Sequence, residues 1–422
     1  VLTLPSARTE LGVPNTTIAA TATMAPAPAA VEGSAAGLVS DLTARAWSFL
    51  VELSEDHSPR ESATEQELAA AEFLLGELRE MGLRAELQPF AVEVLAADPP
   101  VFSLADSPQS EIRAFPMSDS GTGAVSALVA EAGRALPGEV TGGLVRGKIA
   151  LVERGQVTFQ EKADRLADVG ALAVVVYNNR PGPFGGQLSS QVQIPVVSIS
   201  QASGVTIKSL LAEGDVSATV SVVMETRDSR NVVAEMPGNS EDGGVVVFGG
   251  HYDTVPGIQG ANDNGSGTAT LLAVAEHVSQ TPYPFAVRFI AFGSEELGLR
   301  GSADYVASLN EEERQDTIAM LNFDALGSGV SVEVLGSAEL VDDALRLGKS
   351  SGIGVTRSPP LDGASSDHAS FMEAGISAIF FVSGDLSRVH TPDDVLEFVR
   401  PELMGASGAL GIGLLDTLAA AQ

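Results

Sequence analysis

Cysteine is absent from this chain, so neither disulfides nor thiolate metal sites can be built from it. Any metal would have to be held by histidine, aspartate or glutamate. Lysine is scarce, occurring at Lys148, Lys162, Lys208 and Lys349 only. Basic residues total 24 against 55 acidic ones, a formal charge of −31. Such a surface repels phosphate backbones and anionic lipid, which argues against nucleic-acid and membrane-surface roles. No apolar run is read as reaching the ~18–20 residues of a membrane span. No charged n-region with an apolar core is present either, and the chain starts at Val1 rather than Met, so the expectation is a processed protein, secreted or extracytoplasmic. A monomer is expected.

What is present is globular in composition, with 44% hydrophobic and 19% charged residues. At 422 residues the chain exceeds what one core usually holds, so more than one domain is expected. Residues 1–36, with Ala-rich runs and Ala25-Pro26-Ala27-Pro28, read as an N-terminal arm or leader remnant. Leu38, Leu42, Ala46, Phe49 and Leu50 then follow helical spacing, as do Ala69, Phe73, Leu74, Leu78 and Met81. Asp56 to Arg60 between them reads as a Pro-bearing turn, and Leu83 to Glu93 alternates like a strand.

Over 96–226 the texture changes to strand-like runs at Gly147–Val152, Ala173–Tyr177 and Ile194–Ile199, with a helix over Phe159–Gly170. This segment offers no histidine and no carboxylate cluster. Its wording, GKIALVERG, then FQEKADRLADVGALAVVVYNN, then IPVVSIS, resembles the protease-associated domain over about 120–212. The resemblance implies a β-rich, non-catalytic lid or interaction module inserted into a peptidase. The expected boundaries are 96–226 for this insert and 37–95 with 227–422 for the domain that carries it.

That carrying domain alternates strands and helices: Asn231–Gly238, Ala286–Phe292, Ile318–Phe323, Val332–Leu335 and Ala378–Val382 as strands, helices between them, and a last helix from Pro401 to Ala420. The pattern predicts an α/β fold, a mostly parallel sheet flanked by helices. Its organising stretch is Val245-Val-Val-Phe-Gly-Gly-His251, a buried strand that releases His251 and Asp253 into a loop. Asp263 follows in an Asn- and Gly-rich turn before an apolar helix over Ser266–Val278.

Later strand ends repeat this placement of polar groups. Phe289 to Ser294 leads to Glu295-Glu296, Ile318 to Phe323 leads to Asp324, and the run ending at Val382 leads to a loop with His390. Each group alone has an ordinary explanation as a solvated loop or a cap. Their shared address does not, because ligands of open α/β sheets bind outside the strand carboxyl ends.

One zinc needs three protein ligands and a water. Two histidines and three carboxylates suffice for two ions, ~3.5–4 Å apart, with one carboxylate bridging. Asp263 is the natural bridge, His251 and Asp324 complete one site, and Glu296 and His390 the other. If 295–296 is extended, adjacent side chains point oppositely, which leaves Glu295 to move the proton as general base. Asp253 is suited to accept the other imidazole N–H of His251 and fix its tautomer.

HYD, NDNGSG, SEELG, NFDALG and HTPDD, in this order, resemble the co-catalytic di-zinc aminopeptidase family of bacterial leucyl aminopeptidase and aminopeptidase S type, over about 37–95 and 228–420. The resemblance implies a zinc-exopeptidase-like fold, two Zn2+ ions with other divalent transition metals possible, and peptide or protein N-termini as substrate. It carries the same roles onto His251, Asp263, Glu296, Asp324, His390 and Glu295. Two positions depart from the family: Ala325 stands where Met is common, and Val389 where Tyr is common. Ser365-Ser-Asp-His368 resembles a further motif that would line the cleft, whereas His57 and His277 are assigned to structure.

Rival readings are a carboxypeptidase or dipeptidase, with Arg357 or Arg388 holding the terminal carboxylate, a single-zinc glutaminyl-cyclase-like acyltransferase, and a non-catalytic receptor. No expected ligand is missing for the first reading.

Overall fold

The computed structural model describes residues 35–96, 100–105, 112–182, 184–240, 243–359 and 365–422. All of the expected arm but its last two residues lies outside them; helix is already formed at Ala35. The chain divides into two compact units, one ending at Val92 and resuming at Arg227, the other spanning Glu93–Thr226.

The first unit begins with helices α1 (Ala35–Glu55) and α2 (Glu65–Glu80). Thr64 caps α2, its side chain accepting the Glu67 N–H, and Glu65 and Glu67 sit in the first turn where the helix dipole favours negative charge. Leu42, Ala46, Phe49, Leu50 and Leu53 face inward from α1, at about 1.5–3 kcal/mol for each large side chain removed from water.

The unit's sheet has eight strands: β1 (Arg84–Leu95), β2 (Met224–Met236), β3 (Val245–His251), β4 (Ala286–Phe292), β5 (Thr317–Phe323), β6 (Val332–Gly336), β7 (Val355–Arg357) and β8 (Ala378–Ser383). Their order is β1-β2-β4-β3-β5-β8-β6-β7. The four central neighbours, β4, β3, β5 and β8, run parallel. Antiparallel partners flank them, β2 beside β4 and β6 beside β8.

The structure departs from the sequence reading in its strands and in one exclusion. Strand β2 starts at Met224, not Asn231. Its first half is polar on both faces, so apolar alternation is invisible there, and its buried Ser229 is satisfied by a side-chain partner instead. The expected lack of any membrane-length apolar run is also corrected. Helix Pro401–Ala420 is long and apolar enough by composition, but most of it is buried. Met404, Leu410, Ile412, Leu414 and Leu415 pack into the same core as α1 and helix Gly267–Val278.

The second unit is built on a seven-stranded sheet. Strands Gly123–Glu131, Ile149–Glu153, Ala173–Tyr177 and Val196–Ile199 are hydrogen-bonded side by side. Helix Phe159–Asp168 opens with a capping box of Thr158 and Glu161. A cavity of about 600 Å³ lined by Arg154, Thr158, Phe159, Gln160 and Leu188 lies here, and among the described residues no histidine or carboxylate lines it.

Candidate metal centre

The parallel strands β3, β4, β5 and β8 all end on one side of the sheet, and each delivers part of one constellation. His251 is the last residue of β3, the Glu295–Leu297 turn follows β4, Asp324 follows β5, and the loop after β8 carries His390. Three groups of three converge: His251 with Asp263 and Asp324, Asp263 with Glu296 and His390, and His251 with Glu295 and Glu296. Asp263 faces both ways: Oδ1 lies 3.2 Å from His251 Nε2 and Oδ2 lies 3.1 Å from His390 Nε2. Asp324 stands 3.5 Å from His251 Nε2, and Glu296 3.1 Å from His390 Nε2. The first group is fully buried, while Glu296 and His390 keep partial access to solvent.

The carboxylate oxygens of Asp263, Glu296 and Asp324 are buried without a hydrogen-bond donor among the described residues. Buried acceptors left unpaired are costly, and imidazole lone pairs aimed at them would add repulsion. A cation between them removes both penalties, so the donor set fits a metal pair of hard and borderline ligands. Without metal, protons must serve. Burial opposes charge on His390, but Asp263 and Glu296 outweigh it and push the imidazole up to about 11. Burial, with Asp263 nearby, pushes the Glu296 carboxyl up to about 7.

Glu295 and Glu296 do not lie in an extended segment. They form a single 3-10 turn entered through Ser294, whose φ of 53° is left-handed. Glu295 therefore also faces the cleft, 3.9 Å from His251 Nε2, and burial raises its carboxyl well above the usual range. Ala325, with φ of 52°, and His390, with φ of 60°, are left-handed too. Such conformations cost on the order of 1–3 kcal/mol each and persist only where surroundings impose them.

Those surroundings are visible. The Asp253 carboxylate accepts the N–H groups of Glu295 and Glu296 at 3.0 and 3.2 Å and the Ser62 hydroxyl at 2.6 Å. The nearest partner of His251 Nδ1 is the Asp253 main-chain carbonyl at 3.2 Å, with the carboxylate at 3.4 Å. Asp253 thus bears on both His251 and the Glu295–Glu296 turn.

Sequence reasoning passed over four more groups. Asn264 joins the bridge loop to the end of β5, its Nδ2 donating to Phe323 O and its Oδ1 accepting from Gly267 N and Ala325 N. Asn262 Oδ1 accepts from Gly327 N. Asp394 accepts the N–H groups of Asn262 and Asp263 at 2.7 and 3.0 Å. Glu67, buried, accepts from Ser294 N and from the Ser229 hydroxyl beneath the Glu295–Glu296 turn. The pairing of asparagines around Asp263 and the second Asp of HTPDD were the available signals; for Glu67 there was none.

The turn also explains one glycine. A Cβ on Gly267 would stand 2.2 Å from Phe323 O, so helix Gly267–Val278 starts in direct contact with β5. Gly267→Ala is expected to cost about 1–3 kcal/mol through overpacking. Denaturant titration measures it, and an unchanged midpoint would contradict the close approach.

Of the remaining sequence candidates, Asp367 lies within electrostatic reach of His251, Asp324 and Asp253. Asp367 is buried, and burial pushes its carboxyl to about 7. His368 stacks on Phe380 at 4.6 Å, and burial lowers its imidazole to about 4. His57 stacks on Phe73 and His277 is exposed. The departures Ala325 and Val389 meet in one small buried cluster with Phe380 and Val382.

Aminopeptidase YwaD of Bacillus subtilis is 32% identical over 393 residues, 86% of this chain and 82% of that protein. Leucine aminopeptidase 2 of Arthroderma otae is 41% identical over 187 residues, 43% of this chain and 38% of that protein. Among solved structures, BSAP, a zinc aminopeptidase from Bacillus subtilis, matches with a TM-score of 0.76 at 30% identity, covering 89% of this chain and 94% of that one. Residues 121–207 match the PA domain, and residues 231–414, which include every converging ligand, match Peptidase family M28. The chain belongs to peptidase family M28.

Proposed function

We propose that this chain is a zinc aminopeptidase that removes N-terminal amino acids from peptides at a two-metal site. The observation that carries the reading is Asp263, whose two oxygens each complete a separate three-residue group. His251, Asp263 and Asp324 would hold one zinc, and Asp263, Glu296 and His390 the other. When bound, two such ions supply Lewis-acid polarisation of the scissile carbonyl and acidification of a water. Glu295, facing the same cleft, accepts the proton of the attacking water and returns it to the leaving amine. Asp253 orients His251 and the turn that bears both glutamates.

The charge of the cleft supports N-terminal over C-terminal trimming. The groups that converge are carboxylates and imidazoles, which attract a free ammonium and repel a terminal carboxylate. Arg357 pairs with Asp342 at 2.6 Å on the surface, and Arg388 lies over the Phe398 ring. The second ligand group speaks against a single-zinc acyltransferase. The 93–226 unit is proposed as a non-catalytic module, and export of the protein is part of the same proposal.

A panel of free and N-acetylated aminoacyl anilides and peptides tests this, with chelation and zinc add-back. Free amines should be cleaved, acetylated analogues resisted, and activity lost to chelator and regained with zinc. Equal cleavage of acetylated substrates removes the aminopeptidase reading, and cleavage indifferent to chelator removes the metal.

A further inference from the structure

The segment between α1 and α2 reads as a plain turn, yet its polar groups are spent on one loop of the metal centre. Ser58 Oγ donates to Gln259 O, Glu61 accepts the Gly257 N–H, and Ser62 Oγ donates to Asp253. At the middle stands Arg60, 0% exposed. Its Nε donates to Tyr252 O at 2.6 Å, Nη2 to Gly260 O at 2.8 Å, and Nη1 to Gln259 O at 3.3 Å and Leu53 O at 3.4 Å. The main chain adds two bonds, Arg60 N to Thr254 Oγ1 and Thr254 N to Arg60 O.

The shortest two guanidinium bonds straddle the loop that joins two ligands. Tyr252 directly follows His251, and Gly260 stands three residues ahead of Asp263. One planar fork therefore holds both feet of the 252–260 loop and sets the spacing between the first imidazole and the bridging carboxylate. Burying this cation is costly, and bonds to four main-chain carbonyls offset that cost. Its charge also faces Asp394, Asp253 and Asp263, which repel one another when metal is absent.

We propose that Arg60 is a positioning residue that shapes the loop between His251 and Asp263 before metal enters, so that zinc meets ligands already in place. The inference rests on the metal-site reading above. Lysine cannot substitute, because an ammonium is a point charge and does not bridge two separated carbonyls in a fixed plane. A residue that merely supported the fold would lower stability and leave the zinc affinity of the folded protein unchanged.

Hydrogen exchange on the full, metal-free wild-type chain tests the inference directly. The amides of Thr254 and Gly265, bonded to Arg60 O and Gly260 O, should be protected before zinc is added and gain little from it. Protection that appears only with zinc would mean that metal shapes the loop, and would overturn the proposal. Arg60→Lys and Arg60→Met should each weaken zinc affinity about 10- to 100-fold, the range for groups that orient metal ligands. Wild-type affinity in either variant overturns the fork. If neither variant folds, the wild-type exchange result decides alone. A wild-type chain that binds no zinc would sink the metal-site reading, while exchange would still judge the loop.

Discussion

Glu295→Gln is expected to leave zinc stoichiometry at the wild-type level while kcat falls roughly a thousandfold or more, the upper part of the range for lost general-base catalysis. The side chain is buried and enters the cleft from the 3-10 turn next to His251. Gln keeps its shape and its place in the turn but cannot take a proton. Every ligand of the two groups that share Asp263 is untouched, and the N–H clamp by Asp253 acts on the main chain, so the turn should hold. Metal analysis and steady-state kinetics on the same sample separate the outcomes. Loss of zinc would mean that the roles of Glu295 and Glu296 are exchanged, because both reach within ligand distance of His251. An unchanged kcat would place the base elsewhere.

Asp263→Asn should be the most damaging single change at the site. Asn is isosteric, but one of its two ends is a donor. Whichever way the amide turns, that donor faces either His251 or His390, where an oxygen now stands 3.2 or 3.1 Å away. At least one ion therefore loses its bridge and the other keeps only a neutral oxygen. Zinc content should fall to one ion per chain or none, and kcat by several orders, since the two ions act as one clamp. The main-chain bonds from Asn262 and Asp263 to Asp394 do not involve the altered group, so the metal-free fold should survive. Two tightly held ions in this variant would show that Asp263 does not bridge.

These two residues also mark how far the chain could be read before it was folded. His251, Glu295, Glu296 and Asp324 were legible because each sits at or just beyond the end of a run of β-branched and aromatic residues, and Asp263 and His390 because they lie in the loops that follow such runs. Buried parallel strands advertise themselves as such runs, and their carboxyl ends share one side. The sheet's parallel centre and the helix starts followed from the same periodicity.

Less was legible where a polar residue is satisfied by a partner far along the chain. Arg60 serves a loop about 200 residues away, and Glu67 a turn 227 residues away. Nothing in a local window distinguishes such a residue from a solvated one. The 3-10 shape of the turn at Glu295 is hidden from the sequence for a related reason. Its shape is imposed by Asp253 and by a left-handed Ser294, neither of which follows from the propensity of Ser-Glu-Glu-Leu.

By itself, then, the sequence determined the α/β class, the four strand ends that carry the ligands and the exclusion of cysteine-based chemistry, because composition and period act locally. Only the tertiary structure decided which oxygen of Asp263 faces which imidazole, that both glutamates enter the cleft, and that a buried arginine grips the ligand loop. Those are matters of distance between segments remote in sequence, and burial alone brings them to contact.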